Sequence, residues 1–359
     1  MWRPKRRTDQ QRGEATATIE RPAAGDEEFE GGIELLGAEI ERLAEANAVA
    51  PSRQSERLLV RLRHLAGMRL VDGAPASPEF VAPATDQLPG ADPLPGADPL
   101  PEIPSADLTP GLIRAGVLRD GCLLVRGLVP RERAQAMAKR IDRAFAQRER
   151  HEAGRSVDEG YYEEFQPHSR YGPVVGRGWI EQGGGLLAAD APMLNFEMME
   201  MFRVARLREL VSGYLGEPAL ISVHKTTLRK ADPSVPGAWH QDGFFMGEVR
   251  SLNLWLSLSR CGDEAPGLDL LPTRLDHYLA TNTEEAALDY TISQRKVDEA
   301  ATGTQVIRPI FEPGDALFFD ELFLHQTGSD PSMRKPRYAI ENWFFGGSSF
   351  PAEYAPVAV

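Results

Sequence analysis

The chain has 359 residues, of which 42% are hydrophobic and 26% charged, so it can bury a sizeable core and has the length of one large domain plus an extension. Its formal net charge of −13 argues against nucleic acid and anionic membranes as partners, because both attract clustered Lys and Arg. The two cysteines, Cys122 and Cys261, form no CxxC pair and indicate neither a thiolate zinc site nor a disulfide framework.

The N-terminal part of the chain predicts an extension to the main domain. Residues 1–30 are polar and charged without periodicity, so we expect them to be disordered. Residues 31–70 predict a helical hairpin with one apolar stripe on each helix, which would pack on the main domain or join two copies in an oligomer. The stripe residues recur at steps of three and four: Ile33, Leu36, Ile40 and Leu43, then Leu58, Leu62 and Leu65.

A proline-rich linker is predicted for residues 71–110. It contains the hexapeptide Leu-Pro-Gly-Ala-Asp-Pro twice in tandem, at residues 88–99. Proline at this density fixes φ and removes backbone donors, which favours a semi-extended spacer. No apolar run anywhere approaches the ~20 residues that span a bilayer, and the N-terminus lacks a run of signal-peptide length, so we expect a soluble cytoplasmic protein.

Residues 111–359 are predicted to form the main domain, with helices first and strands after. A strand over 121–127, a helix from Pro130 to about residue 147, an irregular segment over 150–190 that would act as a lid, and a helix over 191–215 come first. Polar, helical material is expected over 273–302. Helices followed by a run of strands indicate an α+β domain with a sandwich or barrel. The predicted strands are Leu220–Arg229, Ser251–Ser259, Gly267–Leu271, Gln305–Ile310, Asp315–Phe319, Phe323–Gln326 and Arg337–Phe345.

The segment Trp239-His240-Gln241-Asp242-Gly243 carries the first sign of chemistry. Side chains two residues apart on an extended chain point the same way, so His240 and Asp242 can hold one metal ion together. The pair alone is a weak signal, because His-x-Asp arises by chance in many chains.

A third ligand is offered by His325, in the apolar stretch that follows the turn at residues 312–315. A histidine on such a strand needs partners for its nitrogens, and a core histidine satisfied by the protein is the ordinary alternative. With His240 and Asp242 it would complete two histidines and one carboxylate on one face, the facial triad of non-haem Fe(II) sites. His224 is the closest rival, but it has no carboxylate two residues away.

Arg337 begins the strand that follows His325. Alternation places Arg337 and Glu341 on one face with Ala339 and Trp343. An arginine pointing into a barrel beside a metal needs an anion, and a dicarboxylate chelated to the metal at its other end would meet it. A surface arginine is the alternative, for which Arg334 in the preceding turn is the better candidate.

Two further strands predict an interior pocket. Leu252, Leu254, Leu256 and Leu258 form one face of the strand over 251–259, whereas Asn253, Trp255 and Ser257 form the other. This pattern favours a barrel whose outer face packs on helices and whose inner face is polar. On the strand over 220–229, Lys225, Thr227 and Arg229 share a face and would reach the pocket, with surface charge as the alternative for Arg229.

These residues together resemble the phytanoyl-CoA dioxygenase family of Fe(II)- and 2-oxoglutarate-dependent oxygenases, over roughly residues 112–350. The motifs that carry the resemblance are Asp120-Gly121-Cys122-Leu123-Leu124-Val125, Trp239-His240-Gln241-Asp242-Gly243, Asn253-Leu254-Trp255, Pro313-Gly314-Asp315, Phe318-Phe319-Asp320, and His325 followed by Arg337-Tyr338-Ala339-Ile340.

The resemblance implies a double-stranded β-helix, or cupin-like jelly-roll, core flanked by helices. It implies Fe(II) held by His240, Asp242 and His325, with O2 as the oxidant and 2-oxoglutarate as cosubstrate. Arg337, Trp255 and Lys225 would contact the 2-oxoglutarate, and Gln241 and Asn253 belong to the motifs expected to line its site. The implied reaction is hydroxylation of a small-molecule or acyl substrate, with release of succinate and CO2.

The region 265–274 departs from the family, which often carries a Pro-Gly-Ser-His stretch there, so the resemblance does not imply a substrate. Two other functions stay open. One is a non-catalytic jelly-roll protein that binds a small molecule or a partner. The other is a cupin-like metal enzyme that does not use 2-oxoglutarate.

Overall fold

Strands from distant parts of the chain pair in two sheets in this computed structural model, which describes residues 29–88, 100–174, 176–235, 237–247, 249–283, 286 and 290–359. The segment predicted to be disordered, up to residue 28, and residues 89–99 of the tandem hexapeptide lie outside the described residues. The strands are β1 (Glu102–Pro104), β2 (Cys122–Arg126), β3 (Gly185–Leu187), β4 (Leu220–Ala231), β5 (Ser251–Ser257), β6 (Gly267–Leu270), β7 (Ala316–Phe319), β8 (His325–Gly328), β9 (Arg337–Phe345) and β10 (Pro356–Ala358).

The helices lie mostly before the sheets in sequence. They are α1 (Ile33–Val49), α2 (Arg53–Asp72), α3 (Pro110–Asp120), α4 (Arg131–Glu152), α5 (Arg177–Gln182), α6 (Pro192–Val204), α7 (Leu207–Leu215) and α8 (Gln294–Ala300). Local chemistry sets the ends of α3: the Thr109 hydroxyl accepts from the Leu112 amide, and Gly121 ends the helix at φ 86°. No helix among the described residues is both long and apolar enough to cross a membrane.

The larger sheet has the order β1-β2-β7-β5-β9-β4-β10, with β3 also pairing with β4. Its central strands β7, β5, β9 and β4 are antiparallel to their neighbours, and β1 runs parallel to β2. The smaller sheet consists of β6 and β8. Single antiparallel bridges extend it on both sides, His240 beside His325 and Ile307 beside Leu270.

The two faces of the larger sheet are covered differently. Its outer face packs on the helices in one hydrophobic cluster, which includes all four leucines predicted for the outer face of β5. Its inner face meets the smaller sheet in a second cluster, in which Trp255 and Phe319 of the larger sheet join Leu268 and Leu270 of the smaller one. The architecture is an α+β double-stranded β-helix flanked by helices, which confirms the predicted fold class.

The helices α1 and α2 pack against each other, and α2 contacts β10 and α6. The packing of α2 on β10 is close at Gly67, where a Cβ atom would lie 2.8 Å from the backbone of Pro356. Residues 31–359 form one compact unit. An oligomer joined through α1 and α2 stays a prediction.

Several predicted elements were wrong in extent. The helix expected over 191–215 is two helices, because Arg206 adopts φ 55° between α6 and α7. Within the described residues, the strand expected over 305–310 is reduced to the bridge at Ile307, and 273–302 holds one helix, α8. The irregular segment over 150–190 contains α5 and β3, and the expected linker contains β1.

Candidate metal centre

Three side chains converge at the edge of the smaller sheet. One ligand atom from each of His240, Asp242 and His325 lies within 4.8 Å of the others. Nε2 of His240 is 3.7 Å from one carboxylate oxygen of Asp242, and Nε2 of His325 is 3.6 Å from the other. The predicted triad is therefore brought together, with one carboxylate facing two imidazoles.

The backbone orients both imidazoles. Nδ1 of His240 donates to the carbonyl oxygen of Ala238 at 2.7 Å, and Nδ1 of His325 donates to that of Phe323 at 3.2 Å. Each ring thus carries a proton on Nδ1 and turns Nε2 toward Asp242. Burial lowers the pKa of His325 to about 4, and His240 adds to this effect, so the ring is neutral at physiological pH.

The residue between the first two ligands points away from them. Gln241 is buried, and its amide nitrogen donates to the carbonyl oxygens of Leu322 at 2.7 Å and His277 at 3.0 Å. Its side-chain oxygen accepts from the amide of Leu279 at 2.7 Å. These contacts hold the segment that carries His240 and Asp242, and they give no support to the prediction that Gln241 contacts the cosubstrate.

Arg337 is the largest fully buried side chain among the described residues, with 1% of its surface exposed. Its guanidinium donates to the carbonyl oxygen of Gly267 at 3.0 Å and to Glu341 at 3.4 Å, and it lies 5.3 Å from the ring of Trp255. Nε of Arg337 and Nε1 of Trp255 are buried donors without a hydrogen-bond partner, and Oδ1 of Asn253 is a buried acceptor without one. Two unsatisfied donors on adjacent groups fit a carboxylate.

Glu341 and Arg229 complete the charged interior. Arg229 donates to the Glu341 carboxylate from Nε at 3.0 Å and from a terminal nitrogen at 2.6 Å, so it is not the surface charge considered as its alternative. Burial raises the pKa of Glu341, but Arg229 and Arg337 together outweigh it, so the net shift is downward. Sequence alternation put Glu341 on the correct face without revealing its partners.

Lys225 lies on β4 beside the triad. Its ammonium is 5.3 Å from the centre of the Phe245 ring, a cation–π distance. Burial lowers the pKa of Lys225, and the negative charge of Asp242 opposes that shift. Its position supports the prediction that it reaches the pocket.

Aromatic side chains line one side of the triad, and sequence analysis did not single them out. The Phe245 ring lies 6.2 Å from that of His240 and is 5.7 Å from Trp179, 5.8 Å from Phe244 and 5.2 Å from Tyr290. Trp179 and Phe244 are about half exposed, at 51% and 49%. Phe244 and Phe245 follow Asp242 by two and three residues, and this short spacing could have indicated from the sequence that they lie near the metal ligands.

The rival histidine lies outside the triad. His224 stacks on Tyr354 at 5.1 Å, and its Nδ1 accepts from the Ala355 amide at 3.3 Å. Burial lowers its pKa to about 4. Among the described residues, the group of His, Cys, Asp and Glu side chains that can share one metal is His240, Asp242 and His325.

The donor set and the unsatisfied atoms fit the cofactors that the sequence implied. Two imidazoles and one carboxylate suit a divalent first-row metal such as iron and leave further coordination positions for small oxygen ligands. The unpartnered donors of Arg337 and Trp255 suit the carboxylate of a dicarboxylic cosubstrate.

Solved structures of low sequence identity resemble this fold. EctD from S. alaskensis with 2-oxoglutarate and 5-hydroxyectoine is 18% identical with a TM-score of 0.48, over 68% of this chain and 79% of that one. The epimerase SnoN in complex with Fe3+, alpha ketoglutarate and nogalamycin RO is 16% identical, with a TM-score of 0.40 over 65% and 82%. AviO1 from Streptomyces viridochromogenes Tue57 is 18% identical, with a TM-score of 0.40 over 70% and 99%.

A comparison with curated proteins finds no match. The family model described as phytanoyl-CoA dioxygenase matches residues 117–338, more than half of the chain and the part that contains the triad. The enzyme class is that of the 2-oxoglutarate-dependent dioxygenases, with iron and 2-oxoglutarate as cofactors, and the chain belongs to the phytanoyl-CoA dioxygenase family.

Proposed function

We propose that the protein hydroxylates a small apolar substrate, consuming 2-oxoglutarate and O2 and releasing succinate and CO2. One oxygen atom of O2 would enter the new hydroxyl group and the other the succinate carboxylate. The observation that carries the proposal is the convergence of His240, Asp242 and His325 within 4.8 Å, with both imidazole Nε2 atoms facing the carboxylate.

His240, Asp242 and His325 would hold the iron. Bound there, iron supplies the oxidising chemistry with O2 and 2-oxoglutarate. The protein's part is to fix the ligands, and the pairing of His240 with His325 by two backbone hydrogen bonds supports that role. The hydrogen bonds from both Nδ1 atoms keep the rings in the orientation that a metal needs.

Arg337 would bind the distal carboxylate of 2-oxoglutarate, assisted by Trp255 and Lys225. The unpartnered Nε of Arg337 and Nε1 of Trp255 support this role, because a carboxylate oxygen would satisfy donors that otherwise raise the free energy of the fold. Asn253 shares the inner face with Trp255, and its unpartnered oxygen supports a contact with a donor in the same pocket.

An apolar substrate is favoured by the aromatic side chains beside the triad. Trp179 and Phe244 present exposed rings next to Phe245, which contacts His240. Arg177, on the same helix as Trp179, is engaged by Asp190 at 2.8 Å and by the carbonyl oxygen of Phe165 at 2.6 Å. Its charge is therefore neutralised within the protein, which supports an uncharged substrate over a coenzyme A thioester.

The decisive assay measures succinate formed from 2-oxoglutarate and O2 with Fe(II), in the wild type and in Asp242→Ala, Arg337→Leu and Arg334→Leu. We expect the first two substitutions to abolish turnover. Arg334 is exposed and bonds to the carbonyl oxygens of its own turn, so its substitution is the matched control and should leave turnover unchanged.

Two results would replace the proposal with the alternatives. Metal-dependent activity that survives Arg337→Leu and needs no 2-oxoglutarate would favour a cupin-like enzyme. A wild type that neither binds Fe(II) nor consumes 2-oxoglutarate would favour a non-catalytic binding protein.

The proposal includes a cytoplasmic location. Cys122 and Cys261 are both free and buried, and thiols kept in this state are usual where the surroundings are reducing. Fractionation of cells that express the protein tests the location directly.

A further inference from the structure

We propose that Glu341 is a positioning residue for the cosubstrate: its carboxylate holds the guanidinium groups of Arg337 and Arg229 and sets which edge of Arg337 faces the ligand. The inference rests on the proposed function. In that function Glu341 contacts neither the metal nor the substrate, and the inference gives it a role. Its basis is the geometry of one carboxylate between two arginines on the inner face of the larger sheet.

Backbone pairing fixes Glu341 from both sides. It lies on β9, opposite Thr227 of β4 and opposite Trp255 of β5. A residue in a central strand has little freedom to move, so its carboxylate is presented at a defined position. One oxygen accepts both hydrogen bonds from Arg229, at 3.0 and 2.6 Å, and the other faces Arg337 at 3.4 Å.

The cluster of Arg337, Arg229 and Glu341 has a net positive charge that one further anion would neutralise. Arg337 and Arg229 contribute two positive charges and Glu341 one negative charge, which leaves one positive charge beside the buried unpartnered Nε of Arg337. Without Glu341 the two guanidinium groups would repel each other in surroundings of low dielectric constant. The carboxylate of a cosubstrate would neutralise the cluster.

Glu341 also restricts how Arg337 presents its donors. One terminal nitrogen of Arg337 donates to Gly267 and the other faces Glu341, so both ends of the group are tied to protein. The remaining edge, which includes Nε, is the one left for a ligand. A group held in this way loses less conformational freedom when the ligand binds, which increases affinity.

The same carboxylate connects this site with the aromatic side chains. A terminal nitrogen of Arg229 donates to the carbonyl oxygen of Gly183 at 2.6 Å. Gly183 follows the last residue of α5, the helix that carries Trp179. Hydrogen bonds therefore link Arg337 to Glu341, Glu341 to Arg229, and Arg229 to the segment over 177–187. The ordering of that segment should respond to cosubstrate binding.

The test compares Glu341→Gln and Glu341→Asp with Glu312→Gln. Glu312 also bridges two arginines, Arg131 at 2.9 Å and Arg260, and its side chain is 34% exposed, so it controls for loss of an arginine-bridging carboxylate. The dissociation constant for 2-oxoglutarate is measured anaerobically on the Fe(II)-loaded protein, together with that for Fe(II). Hydrogen exchange over 177–187 is measured with and without 2-oxoglutarate.

We expect Glu341→Gln to weaken 2-oxoglutarate binding by about tenfold or more, with Fe(II) binding unchanged, since partners of ligand-holding groups usually contribute factors of that size. KM for 2-oxoglutarate should rise while kcat at saturation stays near the wild-type value. Glu341→Asp should recover part of the affinity, and Glu312→Gln should match the wild type. Protection of 177–187 by 2-oxoglutarate should be present in the wild type and reduced in Glu341→Gln.

The outcomes separate this inference from the proposed function. If the wild type binds 2-oxoglutarate and Glu341→Gln binds it within about twofold, Glu341 has no positioning role. A fall in kcat without a rise in KM would also reject that role. A wild type that does not bind 2-oxoglutarate on Fe(II) overturns both. If Glu341→Gln does not fold, the same comparison is decided by Glu341→Asp, which keeps the charge but shortens the side chain.

Discussion

His240 and His325 exchange two backbone hydrogen bonds, from the amide of each to the carbonyl oxygen of the other, at 3.0 and 3.2 Å. Their rings lie 4.5 Å apart as a result. His325 is also paired with Leu270 on its other side, in β6. The separation of the two imidazoles is therefore set by sheet pairing rather than by side-chain rotamers alone.

Loss of a ligand should remove metal binding without unfolding the protein. We expect His325→Ala and Asp242→Ala each to weaken Fe(II) binding by more than about a hundredfold, because even groups that only support a ligand contribute ten- to a hundredfold. Isothermal titration with Fe(II) under anaerobic conditions measures the effect. His224→Asn is the control and should bind Fe(II) as the wild type does, since His224 lies against Tyr354. Equal affinities in Asp242→Ala and the control would remove Asp242 from the ligand set.

Gln241 should matter to the centre although it faces away from it. Gln241→Ala leaves two backbone carbonyls and the Leu279 amide without their side-chain partner in a buried region. We expect the free energy of unfolding to fall by about 1–3 kcal/mol, the usual penalty for leaving buried polar groups unsatisfied. Fe(II) affinity should fall by about tenfold, since the segment between His240 and Asp242 loses its anchor. Urea unfolding and metal titration check the two effects, and stability equal to the wild type would argue against the anchoring role.

A close backbone contact near the triad should make Gly237 intolerant of a side chain. A Cβ atom at Gly237 would overlap the backbone of Thr327, which lies two residues after His325 on β8. Gly237→Ala should therefore separate the strands beside the His240–His325 bridge and lower both stability and Fe(II) affinity. Gly178 is the matched control, since a Cβ there has nothing within 4 Å and Gly178→Ala should leave both quantities unchanged. The same melting temperature in both variants would contradict the prediction.

Alternation along strands explains how much of the site could be predicted from the sequence. It placed Arg337 with Glu341, and Asn253 with Trp255, on faces that the structure turns inward. It could not show that Glu341 bridges two arginines, because cross-strand partners depend on register. The irregularity in β4 between Ile221 and Thr226 is likewise invisible in the sequence, and it lies where Lys225 is placed.

The same reasoning explains the errors in the fold. Short strands such as β1 and β10 have three residues each, too few to show a period. The break at Arg206 was missed because the apolar pattern continues across it and the residue is not a glycine or proline. The short strands and the helix break depend on tertiary packing, whereas the His-x-Asp pair and the later histidine can be recognised from the residues next to them in the sequence.

His64 should make stability depend on pH. Its Nδ1 donates to the Pro356 carbonyl oxygen at 2.6 Å, and its Nε2 accepts from the His168 amide at 3.1 Å, so the ring must be neutral. Burial lowers its pKa in the folded protein below the ordinary 6.5. The folded state then binds fewer protons than the unfolded state below 6.5, so this contribution is present above that pH and is lost as the pH falls.

His64→Asn should reduce that dependence. One group contributes at most about 1.4 kcal/mol per pH unit to the slope of the free energy of unfolding. We expect the slope below 6.5 to be smaller in His64→Asn than in the wild type, measured by urea unfolding at a series of pH values. His277→Asn is the control, because the side chain of His277 is exposed at the surface. Identical slopes in all three proteins would mean that His64 titrates alike in both states.

The exposed rings beside the triad should determine which compounds the enzyme accepts. Trp179 reaches Phe245 from α5, and Phe244 reaches it from the turn that follows Asp242. A substrate that covers either ring removes apolar surface from water, which contributes about 25 cal/mol per Å2. Removing one ring should therefore cost about 1–2 kcal/mol of substrate affinity, or about tenfold in KM.

A panel of neutral apolar compounds and their carboxylated counterparts tests this expectation through stimulation of succinate formation. We expect the neutral compounds to stimulate succinate formation by the wild type. Trp179→Ala and Phe244→Ala should each raise the KM for these compounds. The affinity for 2-oxoglutarate should stay unchanged, because Arg337 is untouched. Leu35→Ala removes a comparably exposed apolar side chain on α1 and should have no effect, which separates a local contact from a general loss of surface hydrophobicity. If the carboxylated compounds stimulate better, or if both ring variants keep the wild-type KM, the substrate reaches the triad from a side that these rings do not cover.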